Sequence, residues 1–224
     1  MDTLNHRLVL KRVGTVLVVV GTIDICYMIY CIANGVNYSS SFNIFAVIAG
    51  VFLLRGSLRA ASNVRWFAAL LLSAALAMVM MWPAIQPFDL TLTQIRLNTW
   101  WAVAALFFIT LFSTLLFWIV RTLGDGSVQA AQIEVGVKVR DIRIPIALGV
   151  GLVGIMVVAA QFLTGNETGE HAKAIARLQL GNGFKYQVTS IHVSKSSEQT
   201  LVSGTVTAWN NVEIREVPFQ WEEH

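Results

Sequence analysis

Residues 18–35 read VVVGTIDICYMIYCIANG, an apolar run that Asp24 interrupts near its middle. With residues 13–17 before it, the run is long enough to cross the roughly 30 Å hydrocarbon layer of a bilayer as a helix. An ionised Asp in mid-membrane costs about 2.5–3.5 kcal/mol. We therefore expect Asp24 to be protonated and to face other helices rather than lipid.

Comparable apolar runs recur along the chain, which is 55% hydrophobic and only 13% charged. Soluble domains carry about 25% charged residues. The sequence therefore predicts an α-helical integral membrane protein embedded in the lipid bilayer, with five spans at residues 13–33, 42–58, 64–85, 97–120 and 145–163. The second run is broken by Arg55, so the first two runs could instead form a re-entrant hairpin.

The basic residues near these spans are distributed unevenly. Ten would lie on one side, namely Arg7, Lys11, Arg12, Arg55, Arg59, Arg65, Arg121, Lys138, Arg140 and Arg143, and only Arg96 on the other. Because basic loops stay in the cytoplasm, the N-terminus is predicted inside and the C-terminus outside. The same distribution, flanking apolar runs, argues against nucleic-acid binding.

This topology divides the chain into five parts. They are a cytoplasmic tail (1–12), a four-span bundle (13–120), a cytoplasmic loop (121–144), the fifth span (145–163) and an extracytoplasmic module (164–224). We expect a multi-pass protein of a bacterial inner membrane with a periplasmic module. In the cytoplasmic loop, apolar residues alternate from Ile133 to Val139, which predicts either a strand or a solvated connector.

The C-terminal module is predicted to be α+β, with one helix and a three-stranded antiparallel meander. Residues 167–183 suit a helix ended by Gly181 or Gly183, and strand-like runs follow at 184–194, 200–210 and 211–223. Asn210 and Asn211 suit a tight turn because Asn tolerates positive φ. Pro218 indicates that the final strand is an edge strand or is bulged.

A module of about sixty residues has a thin core, so we expect it to be stabilised by contacts with the membrane surface, the loops between spans or a partner. Phe219 and Trp221 could flank an edge strand that accepts a partner strand. The alternative is that both aromatic side chains fill the core of the module.

Small residues suggest how the spans pack. Gly14, Gly21, Asp24, Cys31 and Gly35 share one helical stripe, a pattern typical of helix contact faces. GVGLVG at 149–154 matches a dinucleotide-binding pattern, but it lies inside a span. We therefore interpret Ala147 and Gly151 as a packing face.

Two hydroxyl residues are predicted to lie at the depth of Asp24. Ser73 and Thr110 have similar positions in their own spans and could hydrogen-bond to its carboxyl group. The chain would then hold an intramembrane polar cluster of Asp24, Ser73 and Thr110.

Catalytic patterns are missing from the sequence. It has no catalytic serine motif, no HExxH and no cysteine cluster, and its four histidines (His6, His171, His192 and His224) lie outside the spans. We therefore expect no enzyme activity, cofactor or metal.

The favoured function is an accessory or assembly factor of a larger membrane complex, whose module contacts another membrane protein. A small transporter or channel with a proton or cation site at Asp24 is the first alternative. A membrane sensor is the second, and a response that survives deletion of residues 126–140 would contradict it.

Replacing Asp24 by Asn distinguishes the first two functions, because Asn keeps the shape of the side chain but cannot carry a proton. If Asp24 joins helices or subunits, Asp24→Asn reduces assembly and leaves ion and proton flux unchanged. Co-purification of the complex and flux through reconstituted vesicles measure the two effects. Normal stability with lost flux would contradict the accessory function and favour transport.

Overall fold

The computed structural model describes residues 2–36, 42–164, 167–195, 200–210 and 212–223. Over these ranges the chain is mostly helical, with a single three-stranded sheet. The helices are α1 (Asp2–Ala33), α2 (Phe42–Leu54), α3 (Leu58–Ile85), α4 (Phe88–Leu97), α5 (Thr99–Leu123), α6 (Gly126–Glu134), α7 (Arg143–Thr164) and α8 (Glu167–Leu180). The strands are β1 (Lys185–Lys195), β2 (Thr200–Trp209) and β3 (Ile214–Glu223).

Four helices, α1, α3, α5 and α7, are long and apolar enough to cross a membrane. They are compatible with the predicted membrane protein. The second predicted span is the short helix α2, whose 13 residues rise only about 20 Å, less than the roughly 30 Å of hydrocarbon. Five spans therefore remain a prediction.

The chain divides into two compact units, and the first comprises Met1–Ala75 and Leu111–Val150. Its core combines apolar side chains from α1, α2, α3, α5 and α6: Leu10, Val13, Leu17, Ala46, Leu53, Ala61, Ala68, Leu116, Ile119, Leu123 and Val128. Helices α1 and α2 approach closely, since a Cβ on Gly14 would lie 2.9 Å from the carbonyl oxygen of Gly50. Glycine is what allows this contact.

Helix α7 contacts α3 in the same unit through Gly149. A Cβ on Gly149 would lie 2.6 Å from the carbonyl oxygen of Leu70 and would overlap the Ser73 hydroxyl. The two helix backbones are therefore in direct contact, as is common where small residues line a helix pair.

The strand predicted from Ile133 to Val139 is not formed. Helix α6 takes up residues 126–134, residues 135–136 form a turn, and residues 137–142 have no regular structure apart from a bend at 142. The helix buries Val128 completely, whereas Ile133 and Val135 are exposed. Gly136, whose φ is +73°, follows the end of this helix and interrupts the extended backbone that a strand from Ile133 to Val139 would need.

The second unit comprises Leu76–Thr110 and Gly151–His224. Its antiparallel sheet has the order β1-β2-β3, so the predicted helix and meander are both present. Helix α8 covers one face of the sheet and ends at Gly181, whose φ of +79° suits glycine. The core between them contains Ala172, Ala176, Val188, Val202, Val206, Ala208, Val217 and Phe219.

The turn between β2 and β3 is held by the side chain of Asn210. Its Oδ1 accepts hydrogen bonds from the backbone N–H groups of Val212 and Glu213, each at 2.8 Å. Asn210 therefore acts as an acceptor, not through positive φ, which no non-glycine residue of the described ranges adopts. Asn211 lies outside the described residues.

Alanine substitutions two residues apart on α7 test the contact between α7 and α3. We expect Gly149→Ala to lower the free energy of unfolding by about 1–3 kcal/mol, because the added methyl group meets the α3 backbone. Gly151→Ala is the matched control, since within the described ranges no atom lies within 4 Å of its Cβ position. Thermal unfolding in detergent measures both, and equal stability of the two variants would contradict the contact.

Candidate functional site

Asp24 lies half-buried on α1. Gly14, Gly21 and Cys31 of its predicted stripe are buried, whereas Gly35 follows the end of the helix and is exposed. The buried side of α1 therefore includes three of the five predicted positions.

Ser73 and Thr110 donate their hydroxyl hydrogen bonds to backbone carbonyl groups. Ser73 is buried and donates to Leu70 at 2.9 Å, with the carbonyl oxygen of Pro145 at 3.5 Å. Thr110 is exposed and donates to Leu106 at 2.8 Å. Each hydroxyl has one proton, and each proton has an acceptor on the backbone. The polar cluster with Asp24 stays a prediction.

The two predicted packing positions on α7, Ala147 and Gly151, are both exposed. The buried residues of this helix are spaced by four and are offset by two positions from Ala147 and Gly151. They are Pro145, Gly149, Val153 and Val157. The packing face of Ala147 and Gly151 stays a prediction.

Phe219 and Trp221 both point toward the core of the module. Phe219 is only 5% exposed, and its ring stacks on that of Trp221 with a centroid distance of 5.0 Å. Trp221 also contacts the ring of His171 on α8, at 4.9 Å. The two aromatic side chains thus contribute to the core. Of the predicted site for a partner strand, the backbone of the edge strand β3 is the part that remains available.

Helix α4 is an element that the sequence analysis missed, because its residues were assigned to an outer loop. Its composition contains the signals of a short helix: Asp89 in the first turn and Arg96 in the last, the order that a helix dipole favours. Leu90 and Thr93 are buried, whereas Phe88 and Leu97 are exposed. It is therefore an amphipathic helix between two long apolar ones.

One end of the sheet is bonded to the end of α3 and to α4. Gln187 donates from Nε2 to the carbonyl oxygen of Ile85 at 2.8 Å, and Lys185 forms an ion pair with Asp89. The Thr93 hydroxyl donates to the carbonyl oxygen of Asp89 within α4 at 2.9 Å, and it lies 3.5 Å from the carbonyl oxygen of Asn210. We call these three contacts the brace.

The brace also satisfies backbone groups at the end of α3. The last carbonyl groups of a helix have no partner within it. Here the Ile85 carbonyl accepts from Gln187 of β1, and the Ala84 carbonyl accepts from Nε2 of Gln161 on α7 at 3.1 Å. The module therefore supplies one of the groups that cap α3.

A cleft of about 440 Å³ lies beside the brace in the second unit. This volume is within the range of small-molecule sites, about 300–1,000 Å³. Its walls come from α4, from the residues that connect α8 to β1 and from the end of β2: Asp89, Leu92, Thr93, Arg96, Asn182, Gly183, Phe184, Lys185, Trp209 and Asn210.

The cleft is polar and has a net positive charge. Arg96 and Lys185 supply two cations and Asp89 supplies one anion, which leaves one positive charge. Trp209 is 4% exposed, and its indole N–H has no hydrogen-bond acceptor in the described part of the chain. The cleft thus has a cationic rim, whereas the Trp209 indole N–H is buried out of reach of solvent.

Sequence patterns could not have identified this cleft. Its residues come from 89–96, 182–185 and 209–210, which only the docking of the sheet on α4 brings together. Within the described ranges, no group of three or more His, Cys, Asp or Glu residues could hold a metal ion.

Comparisons of this chain with protein-family models, with curated proteins and with solved structures each found no match. We therefore infer its function from the contacts, burial and charge of its own residues.

Proposed function

We propose that this chain is a multi-pass membrane protein of a bacterial inner membrane that has no catalytic activity. It acts as an accessory or assembly factor, and its C-terminal module contacts another membrane protein on the periplasmic side. The distribution of basic residues supports this orientation, with ten on the cytoplasmic side and Arg96 on the outer side. In this topology α2 is a short second crossing.

The observation that carries the proposal is the brace. If the module only had to be attached to the membrane helices, its covalent link to the end of α7 would be enough. Its sheet is also bonded to Ile85 of α3 and to Asp89 of α4. These contacts restrict the orientation of the sheet relative to the α3–α4 segment. A binding surface held in one orientation loses less entropy when it meets its partner.

The exposed side of α8 is the surface that the brace leaves available for such a partner. Leu178 on this helix is 88% exposed, while Ala172 and Ala176 on the opposite side are fully buried. Among the described residues no strand pairs with the outer edge of β3, and Pro218 in this strand limits how far another strand could pair with it.

Site-specific photo-crosslinking in native membranes tests the proposal. With a photo-crosslinking residue in place of Leu178, we expect one discrete adduct with a second protein, because α8 faces the partner. The same residue in place of Met80 is the control: Met80 is 83% exposed, on an apolar helix where lipid is the expected neighbour.

A discrete protein adduct from position 178 but not from position 80 supports the accessory function. If position 178 gives only uncrosslinked chain under conditions in which the reagent is active, the module has no protein partner there and the proposal is wrong.

A further inference from the structure

Helix α4 has two sides with different surroundings. Leu90 and Thr93 are buried on one side. Phe88, Leu92 and Ile95 follow one another at spacings of four and three residues, so they share the opposite side of the helix. They are 65%, 39% and 40% exposed. We call these three residues the outer stripe of α4, an apolar surface that the fold leaves exposed.

The helices on either side of α4 limit where it can lie in a membrane. Two residues connect α3 to α4, and one residue connects α4 to α5. Both neighbours are apolar enough to span a bilayer, whereas the 10 residues of α4 rise only about 15 Å, half of the hydrocarbon thickness. If α3 and α5 cross the bilayer, the end of α3 and the start of α5 therefore lie at the same membrane surface, and α4 lies there with them.

Tryptophan side chains at both ends of α4 are an independent sign of the membrane surface. Trp82, near the end of α3, donates its indole N–H to the hydroxyl oxygen of Thr91 on α4 at 3.2 Å. Trp100 and Trp101, at the start of α5, are 88% and 78% exposed. An indole ring combines apolar surface with a polar N–H group, so exposed tryptophan at the ends of apolar helices is typical of the boundary between membrane and water.

Polar side chains border the outer stripe along its whole length. Asp89 and Arg96 lie along one border, and Thr91 and Gln94 lie along the other. Gln94 also accepts a hydrogen bond from the side-chain amide of Gln86 at 2.8 Å. A helix surrounded by hydrocarbon would be apolar on all sides. An apolar stripe with polar and charged borders is instead the pattern of a helix that lies in the membrane interface, with its apolar side about 5–10 Å deep.

We propose that α4 is an interfacial helix on the outer surface of the bilayer, with its outer stripe between the lipid headgroups and the acyl chains. The partner of this surface is the lipid itself. The brace joins other sides of the same helix to the sheet, through Asp89 and Thr93. The depth of α4 in the bilayer therefore determines the position of the sheet relative to the membrane. The inference rests on the membrane placement in the proposed function, but not on the existence of a protein partner.

Fluorescence quenching in phospholipid vesicles that contain the full chain tests this placement. A fluorescent amino acid, incorporated by codon suppression, replaces Phe88 in one variant and Ile95 in another. Leu92 is left unchanged because it also lines the cleft. The two quenchers are lipids brominated in the upper part of their acyl chains and iodide present on both sides of the membrane. We expect the brominated lipids to quench both positions and iodide to quench neither.

Two further positions calibrate the quenching. Leu178 on α8 is also an exposed apolar residue of the second unit, and at this position we expect quenching by iodide but not by brominated lipids. Met80 on α3 is 83% exposed on an apolar helix, and at this position we expect quenching by brominated lipids alone. All four replaced side chains are exposed, so the fold should tolerate the changes, and thermal unfolding of each variant checks this.

Two results would overturn the proposal. Iodide quenching at positions 88 and 95 as strong as at position 178 would show that α4 lies in water, and protection from both quenchers would show that protein covers it. In either case, quenching of position 80 by brominated lipids would keep the membrane placement of the proposed function. If brominated lipids quench none of the four positions, that placement is wrong as well. Because positions 88 and 95 are tested in separate variants, either one decides if the other fails to fold.

Discussion

The start of β1 is bonded to the end of α3 and to α4, and this contact supports one end of the three-stranded sheet. Helix α8 covers the first face with small side chains, chiefly Ala172 and Ala176. A domain of about sixty residues buries only about 60% of the surface that its unfolded chain exposes. A thin core on one face therefore gains from contacts on the other, where Gln187 donates a hydrogen bond to the Ile85 carbonyl and Lys185 pairs with Asp89.

The same contact creates the cleft. Because α4 meets the sheet near the start of β1 and the end of β2, Arg96 comes to line the same space as Lys185 and Trp209. The brace therefore also accounts for a polar cleft near the ends of the apolar helices α3 and α5.

Much of the fold follows from sequence patterns, because the responsible interactions are local or depend on apolar content alone. The four long apolar helices, α8 with its stop at Gly181, and the strands β1 to β3 all have clear periodicity or composition. Two local features were missed or misassigned. Helix α4 is short, and Gly136 interrupts the alternation from Ile133 to Val139.

The candidate site could not be predicted, because it depends on contacts between distant segments. Gln187 and Ile85 are 102 residues apart, and no periodicity relates them. The spacing of the apolar residues in α7 is compatible with more than one buried side of this helix. The structure shows that the buried side contains Gly149. Depth counting placed Ser73 and Thr110 at the level of Asp24, but it could not identify the carbonyl groups that accept their hydroxyl hydrogen bonds.

Amide hydrogen exchange of β1 and β2, in the full chain and in a polypeptide of residues 164–224, tests the central claim most directly. If the α3–α4 segment supports the sheet, these amides exchange slowly in the full chain and at nearly the rate of an unfolded peptide in the isolated module. Equal protection in both would show that the module folds alone, and would contradict the claim that the brace stabilises it.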